Sequence, residues 1–201
     1  MKNYLEQIDE KNSLEANKFF AENMNEDMKM DISKHDIKVP IKLRPEIISE
    51  LNSRLADEYH AYFFYVNAAD WCRDENFDKA ADFFEGEANK ELEHAKKMRD
   101  FLVGWNIKPI IKQVPTDYQY RDLLQIIEEA YDMEYDLLQK YNISSGKVMG
   151  LGDFATFDFL GYFRQTKIEE VKEYADFINA LQLINISNKL DVLYFEKEYF
   201  K

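Results

Sequence analysis

Cysteine is almost missing: Cys72 is the only one in 201 residues. No intrachain disulfide can form, and a cysteine-rich metal site is excluded. Glycine (6) and proline (4) are scarce and clustered, which leaves long stretches free for helix. No run approaches the roughly 18 apolar residues of a membrane span. The amino terminus, MKNYLEQIDEKN, lacks the apolar core of a signal peptide, so a reducing cytoplasm is the expected location and no membrane partner is expected. Basic charge is in deficit as well. Lys and Arg number 26 against 39 Asp and Glu, for a formal net charge of −13, so the footprint of a nucleic-acid-binding protein is absent. Such a balance favours cations, or simply marks a solvated acidic surface.

What is present is apolar content, 46% of the chain, enough for one compact domain. Pro45 is placed for the first turn of a helix, and Asp74, Glu75 and Asn76 supply a turn. A second helical pattern runs from about Phe77 to Leu102. The stretch GWNIKPIIKQVPTDY (104–118) then reads as extended chain. A third pattern spans about 121–144, SSGKVMGLGD (144–153) reads as a turn, and a fourth pattern reaches about Ile184. A short amphipathic piece, KLDVLYFEKEYF (189–200), follows. The expected organisation is an extension over 1–43, a bundle over 44–186 and a short carboxy-terminal helix over 187–201.

Tight turns make helices one and two, and three and four, antiparallel neighbours. About 16 residues of extended chain reach roughly 50 Å, and a 28-residue helix is roughly 42 Å long. The connection between helices two and three can therefore return along the whole bundle. The predicted fold is all-α: a four-helix bundle with one long crossover, the ferritin-like arrangement.

Each helix carries a stripe at alternating steps of four and three. The second gives Phe84, Ala88, Glu91, Ala95, Met98 and Leu102; the first gives Ile48, Leu51, Leu55, Glu58, Tyr62, Tyr65, Ala69 and Cys72. The third gives Leu124, Ile127, Tyr131, Glu134, Leu138 and Tyr141, and the fourth Leu160, Phe163, Lys167, Glu170, Tyr174, Phe177, Leu181 and Ile184. Every stripe is interrupted by charge near its middle. Glu58, Glu91, Glu134, Lys167 and Glu170 should face inward, with His94 one turn beyond Glu91.

A buried salt-bridge network is one account of this. Four carboxylates meet one lysine and one usually neutral histidine, leaving about three negative charges uncompensated, and unpaired buried charge costs several kcal/mol. Either several glutamates stay protonated or cations bind. Glutamates with one imidazole form a hard, oxygen-rich donor set suited to iron or manganese.

These residues resemble a bacterial-type, non-haem ferritin over about 44–200. RPEIISELNSRLADEYHAYFFY is similar to that family's first helix, EANKELEHAKKM to its second, EEAYDMEYDLLQK to its third and TFDFLGYFRQTKIEEVK to its fourth. VLYFEKEYF is similar to its short fifth helix. The resemblance implies iron storage: ferrous ions bind in pairs, two per subunit, are oxidised by O2, and are stored as a ferric mineral inside a homo-oligomeric cage of twenty-four subunits. It implies metal ligands at Glu58, Glu91 (bridging), His94, Glu134 and Glu170, with Tyr65 beside the centre, and ferroxidase activity. It implies no haem: bacterioferritin-like chains carry a Met where this chain has Leu92, and a second Glu-x-x-His where it has Lys167 and Glu170. Rubrerythrin-like proteins need cysteine pairs.

The chain departs from the family at Lys167, where most relatives have Gln or Glu. An ammonium there would repel Fe²⁺ and pair with Glu134 or Glu170, unless it snorkels away along its stem. An accessory iron site is expected to be lost or weak, since Lys90 and Thr166 occupy two of its places while Glu169 is kept. Two alternatives follow: a storage shell with a crippled second metal site, and a di-metal oxidase that forms no cage. The first 39 residues have no counterpart in the resemblance. Phe20, Met24 and Met28 lie four apart, as in an amphipathic docking helix, and His35 with Met24, Met28 and Met30 would be a metal handle; a solvated tail is the other reading.

Overall fold

In the computed structural model the described residues run from Leu43 to Phe200. The expectations for Phe20, Met24, Met28, Met30 and His35 lie outside them. The chain divides between Ser49 and Glu50 into two units, and the packing below belongs to the second.

Five helices follow one another: α1 (Pro45–Asp74), α2 (Asp78–Gly104), α3 (Leu123–Gly150), α4 (Phe154–Leu181) and α5 (Lys189–Tyr199). No strand occurs among the described residues. The all-α bundle with a long crossover and a short last helix is thus present. Helix α1 starts on Pro45, whose fixed φ suits a first turn. Between α1 and α2 the chain reverses at Asn76, in the left-handed region at φ 63°, a conformation asparagine tolerates better than most residues.

Side-chain contacts set the directions. Tyr65 meets Glu134 and Tyr141 meets Glu58, so α3 runs antiparallel to α1. Glu91 meets Lys167 while Phe101 stacks on Phe159 at 3.9 Å, so α4 runs antiparallel to α2. The crossover is strapped along α1 by two asparagines. Asn52 Oδ1 accepts from the Ile110 amide at 2.7 Å, and Asn67 Nδ2 donates to the Thr116 carbonyl at 3.2 Å. These straps carry the chain to the far end of α1, where α3 begins under an Asp122 cap.

Helix α3 does not stop at residue 144. It continues through SSGKVMG to Gly150, because its serines find partners on other helices: the Ser144 hydroxyl donates to Glu50 at 2.9 Å and Ser145 accepts from Arg164. The true turn is shorter and falls at Gly152, whose φ of 74° favours glycine. The inward face of α3 is wider than the expected stripe: Ile127, Glu134 and Tyr141 are buried as expected, Leu124, Tyr131 and Leu138 are half-buried, and Leu123, Ile126, Ala130 and Leu137 beside them are buried too. The α2 and α4 stripes are buried from Phe84 to Leu102 and from Leu160 to Leu181.

The carboxy-terminal helix closes one end of the bundle. Phe200 packs against Phe83, Phe84 and Phe177 at ring distances of 5.2, 5.6 and 4.9 Å, and Phe195 joins the same core.

Candidate metal centre

All six inward charged residues expected from the stripes lie at the middle of the bundle. Glu58, Glu91, Glu134 and Lys167 are fully buried, and His94 and Glu170 are 3% and 4% exposed. Each of the four long helices contributes a carboxylate, because each stripe places its charged residue at about half the helix length, with aromatic and aliphatic layers above and below.

Among the described residues two groups of three could hold a metal ion: Glu58, Glu91 and His94, and Glu91, Glu134 and Glu170. Glu91 belongs to both. Within the first, His94 Nδ1 lies 3.3 Å from Glu58 Oε2 and 3.3 Å from Glu91 Oε2. Burial disfavours the charged imidazole, but the two carboxylates outweigh it and push its pKa up to about 10. The two carboxylates thus favour a protonated imidazole, which would stand as a second cation beside Lys167 against the four carboxylates. Two buried carboxylates converging on one imidazole nitrogen fit a divalent first-row ion.

The second group is different. Lys167 Nζ sits 2.8 Å from Glu91 Oε1, 2.8 Å from Glu134 Oε2 and 2.8 Å from Glu170 Oε2. Burial alone would strip the proton from this lysine, but Glu134, Glu91 and Glu170 together hold its pKa well above the usual ammonium range. The side chain does not snorkel; it pairs with Glu134 and Glu170, as one reading expected, and with Glu91 too. The carboxylates there carry less charge than their number suggests, since burial pushes Glu170 up to about 9, further than Lys167 lowers it. Glu58 moves the other way: burial raises it, and Lys167 with His94 more than offset that.

Three tyrosines surround the carboxylates. Tyr65 OH donates to Glu134 Oε1 at 2.7 Å, and Tyr141 OH donates to Glu58. Tyr174 stacks on Tyr65 with centroids 6.2 Å apart, and its hydroxyl has no hydrogen-bond partner. Burial raises all three phenols well above their ordinary pKa, so they keep their protons, and Tyr65 and Tyr141 donate hydrogen bonds to the carboxylates. The roles of Tyr141 and Tyr174 were not assigned from sequence, because an aromatic on a buried stripe is indistinguishable from a core residue. Glu87, 2% exposed, was missed too; its position four before Glu91 places it on the same helix face. Its Oε1 pairs with Lys90 at 2.5 Å, and burial, its main influence, raises its pKa.

Around the expected accessory site, Thr166 turns its hydroxyl to its own helix, donating to the Tyr162 carbonyl, and Glu169 accepts from Gln165. Cys72 is buried, and burial pushes its thiol up to about 12, as suits a packing residue.

Comparison with known proteins agrees with this architecture. A family model described as a ferritin-like domain matches residues 48–184. The bacterial non-heme ferritin of Escherichia coli is 30% identical over 148 residues, 73% of this chain and 90% of that protein. The one from Campylobacter jejuni is 25% identical over 160 residues, 79% and 95% of the two chains. Among solved structures, a humanized archaeal ferritin superposes with a TM-score of 0.73 at 22% identity, covering 79% of this chain and 97% of that one. A Chlorobium tepidum ferritin gives 0.70 at 22% identity, covering 78% and 95%. With a bundle of this topology, and a family match and a 30% identical relative each spanning most of its helices, the chain belongs to the ferritin family.

Proposed function

We propose that this protein is an iron-storage subunit that takes Fe²⁺ as its substrate at the mid-bundle centre, oxidises it with O2 and stores the ferric product as mineral inside a homo-oligomeric cage. The reading places it in the cytoplasm and gives the entering ion Glu58, Glu91 and His94 as ligands, with Glu134, Glu170 and Tyr65 beside them. The carrying observation is the convergence of Glu58 and Glu91 on His94 Nδ1, both at 3.3 Å, in a dry interior. A metal-bound imidazole is neutral, so any proton on His94 would leave as the ion arrives, and the carboxylates favour the ferric product. The buried phenols keep their hydrogen bonds on Glu58 and Glu134 and so hold those carboxylates in place.

The test is aerobic Fe²⁺ loading of the purified protein, followed by size-exclusion chromatography with iron detection. Iron should co-elute with a large particle in amounts far above one ion per chain. A particle near the 24.0 kDa chain mass would end the cage, and a protein that retains no iron would end the storage function. A second reading, a storage shell with little oxidation of its own, is favoured by Lys167 among the carboxylates of the second group.

A further inference from the structure

We infer that Lys167 is the second cation of the centre: its ammonium takes the place of a second metal ion, so each chain binds one Fe²⁺, held by Glu58, Glu91 and His94, while Glu134 and Glu170 serve the lysine. This rests on the reading of the centre as an iron site and settles how many ions it takes.

Three observations lead there. Nζ is equidistant, at 2.8 Å, from one oxygen of each carboxylate in the second group, which is the centre of the donor set, where a cation would be held. The three carboxylates come from three helices, Glu91 from α2, Glu134 from α3 and Glu170 from α4, so the ammonium is enclosed by donors as an ion is by its ligands. Lys167 is also fully buried, and its carboxylate neighbours leave it no exit to water. Removing the stem from this space would leave an ammonium to be rehoused in an apolar layer between Phe163 and Tyr174, both buried on the same helix. A divalent ion would have to displace a tethered charge whose effective concentration is high because it never leaves. The two halves of the centre therefore differ in kind. The first offers two carboxylates and an imidazole to an arriving ion; the second already holds a cation that is part of the chain. The donor set of the second half does not fit an added ion.

The test is an anaerobic titration of the full-length protein with Fe²⁺ alone, counting tightly bound ions per chain by calorimetry, beside anomalous maps of Fe²⁺-soaked crystals. One ion per chain is expected, with density at Glu58, Glu91 and His94 and Lys167 still against Glu134 and Glu170. Lys167→Gln should raise the count to two. Two ions in the wild type, or density among Glu91, Glu134 and Glu170 with the lysine displaced, would overturn the inference while leaving the iron centre standing. One ion in both wild type and Lys167→Gln would show that the lysine is not what excludes the second. No tight ion at all would overturn the iron centre itself. Should Lys167→Gln fail to fold, the wild-type count and the maps decide alone.

Discussion

Glu196 on the last helix caps the second: its Oε1 accepts from the Lys79 amide at 2.6 Å and from the Ala80 amide at 3.1 Å. Phe77, the residue at the cap position of α2, offers no side-chain bond. The carboxylate therefore satisfies two amides that would otherwise be orphaned at the positive end of the helix dipole. Glu196→Ala should cost about 1–2 kcal/mol. It should also speed hydrogen exchange at Lys79 and Ala80 in particular. An unfolding midpoint and exchange pattern identical to wild type would remove the cap from the account of how α5 is held.

Loss of a ligand from the first half of the centre should be felt at once. Glu91→Ala and His94→Ala are each expected to lower Fe²⁺ affinity by more than about tenfold, the scale at which even supporting residues act, and to abolish rapid oxidation with helical content retained. Stopped-flow absorbance after mixing with O2 and far-ultraviolet circular dichroism measure the two. Unchanged rates in both variants would place the chemistry elsewhere.

The two hydrogen-bonded tyrosines separate the halves. Tyr141→Phe frees Glu58 and should weaken Fe²⁺ binding by about tenfold. Tyr65→Phe frees Glu134, a partner of Lys167, and should leave the first ion's affinity within about twofold of wild type. Anaerobic calorimetry on both variants provides the comparison, and equal losses would contradict the division of labour.

Lys167→Met removes the counter-charge of three buried carboxylates. The metal-free variant should lose roughly 3–5 kcal/mol, the scale of breaking a buried ion pair by deleting one partner. The loss should shrink on acidification as the carboxylates accept protons. Denaturant unfolding at two pH values reads this directly.

At the start of α3, Asp122 accepts from the Gln125 amide at 2.8 Å and from Arg121 Nε at 2.6 Å. Burial raises its pKa, but Arg121 and the amide outweigh it, so the group sits below its ordinary 3.8. A carboxylate lowered in the folded state stabilises above its unfolded pKa and loses that contribution as pH falls through the folded one. Asp122→Ala should cost about 1 kcal/mol at pH 7, and the gap from wild type should narrow below about pH 4. A gap independent of pH would mean that the charge contributes nothing.

Much of this was legible in the residues themselves. Helix periodicity placed Glu58, Glu91, His94, Glu134, Lys167 and Glu170 on inward faces, and connection lengths gave the long crossover that returns along the bundle, because both depend only on local geometry and reach. What periodicity could not supply was anything decided between helices. Ser144 and Ser145 look like turn residues until Glu50 and Arg164 are brought beside them. Lys167 has a stem long enough to point either way, and only the three carboxylates from other positions settle it. The second carboxylate beside His94, Glu58, comes from another helix, thirty-six positions earlier, and nothing local to His94 announces it. Glu196 is one acid among several on a short charged helix, and nothing local marks it as a cap.

A store must also stand empty. Most clusters of buried acids demand their metal in order to fold, so a cell starved of that metal would lose the container along with the contents. Here the counter-ion of one half is covalently attached, so part of the carboxylate charge is offset with no metal bound, and scarcity does less to unmake the vessel that the next supply of iron will require.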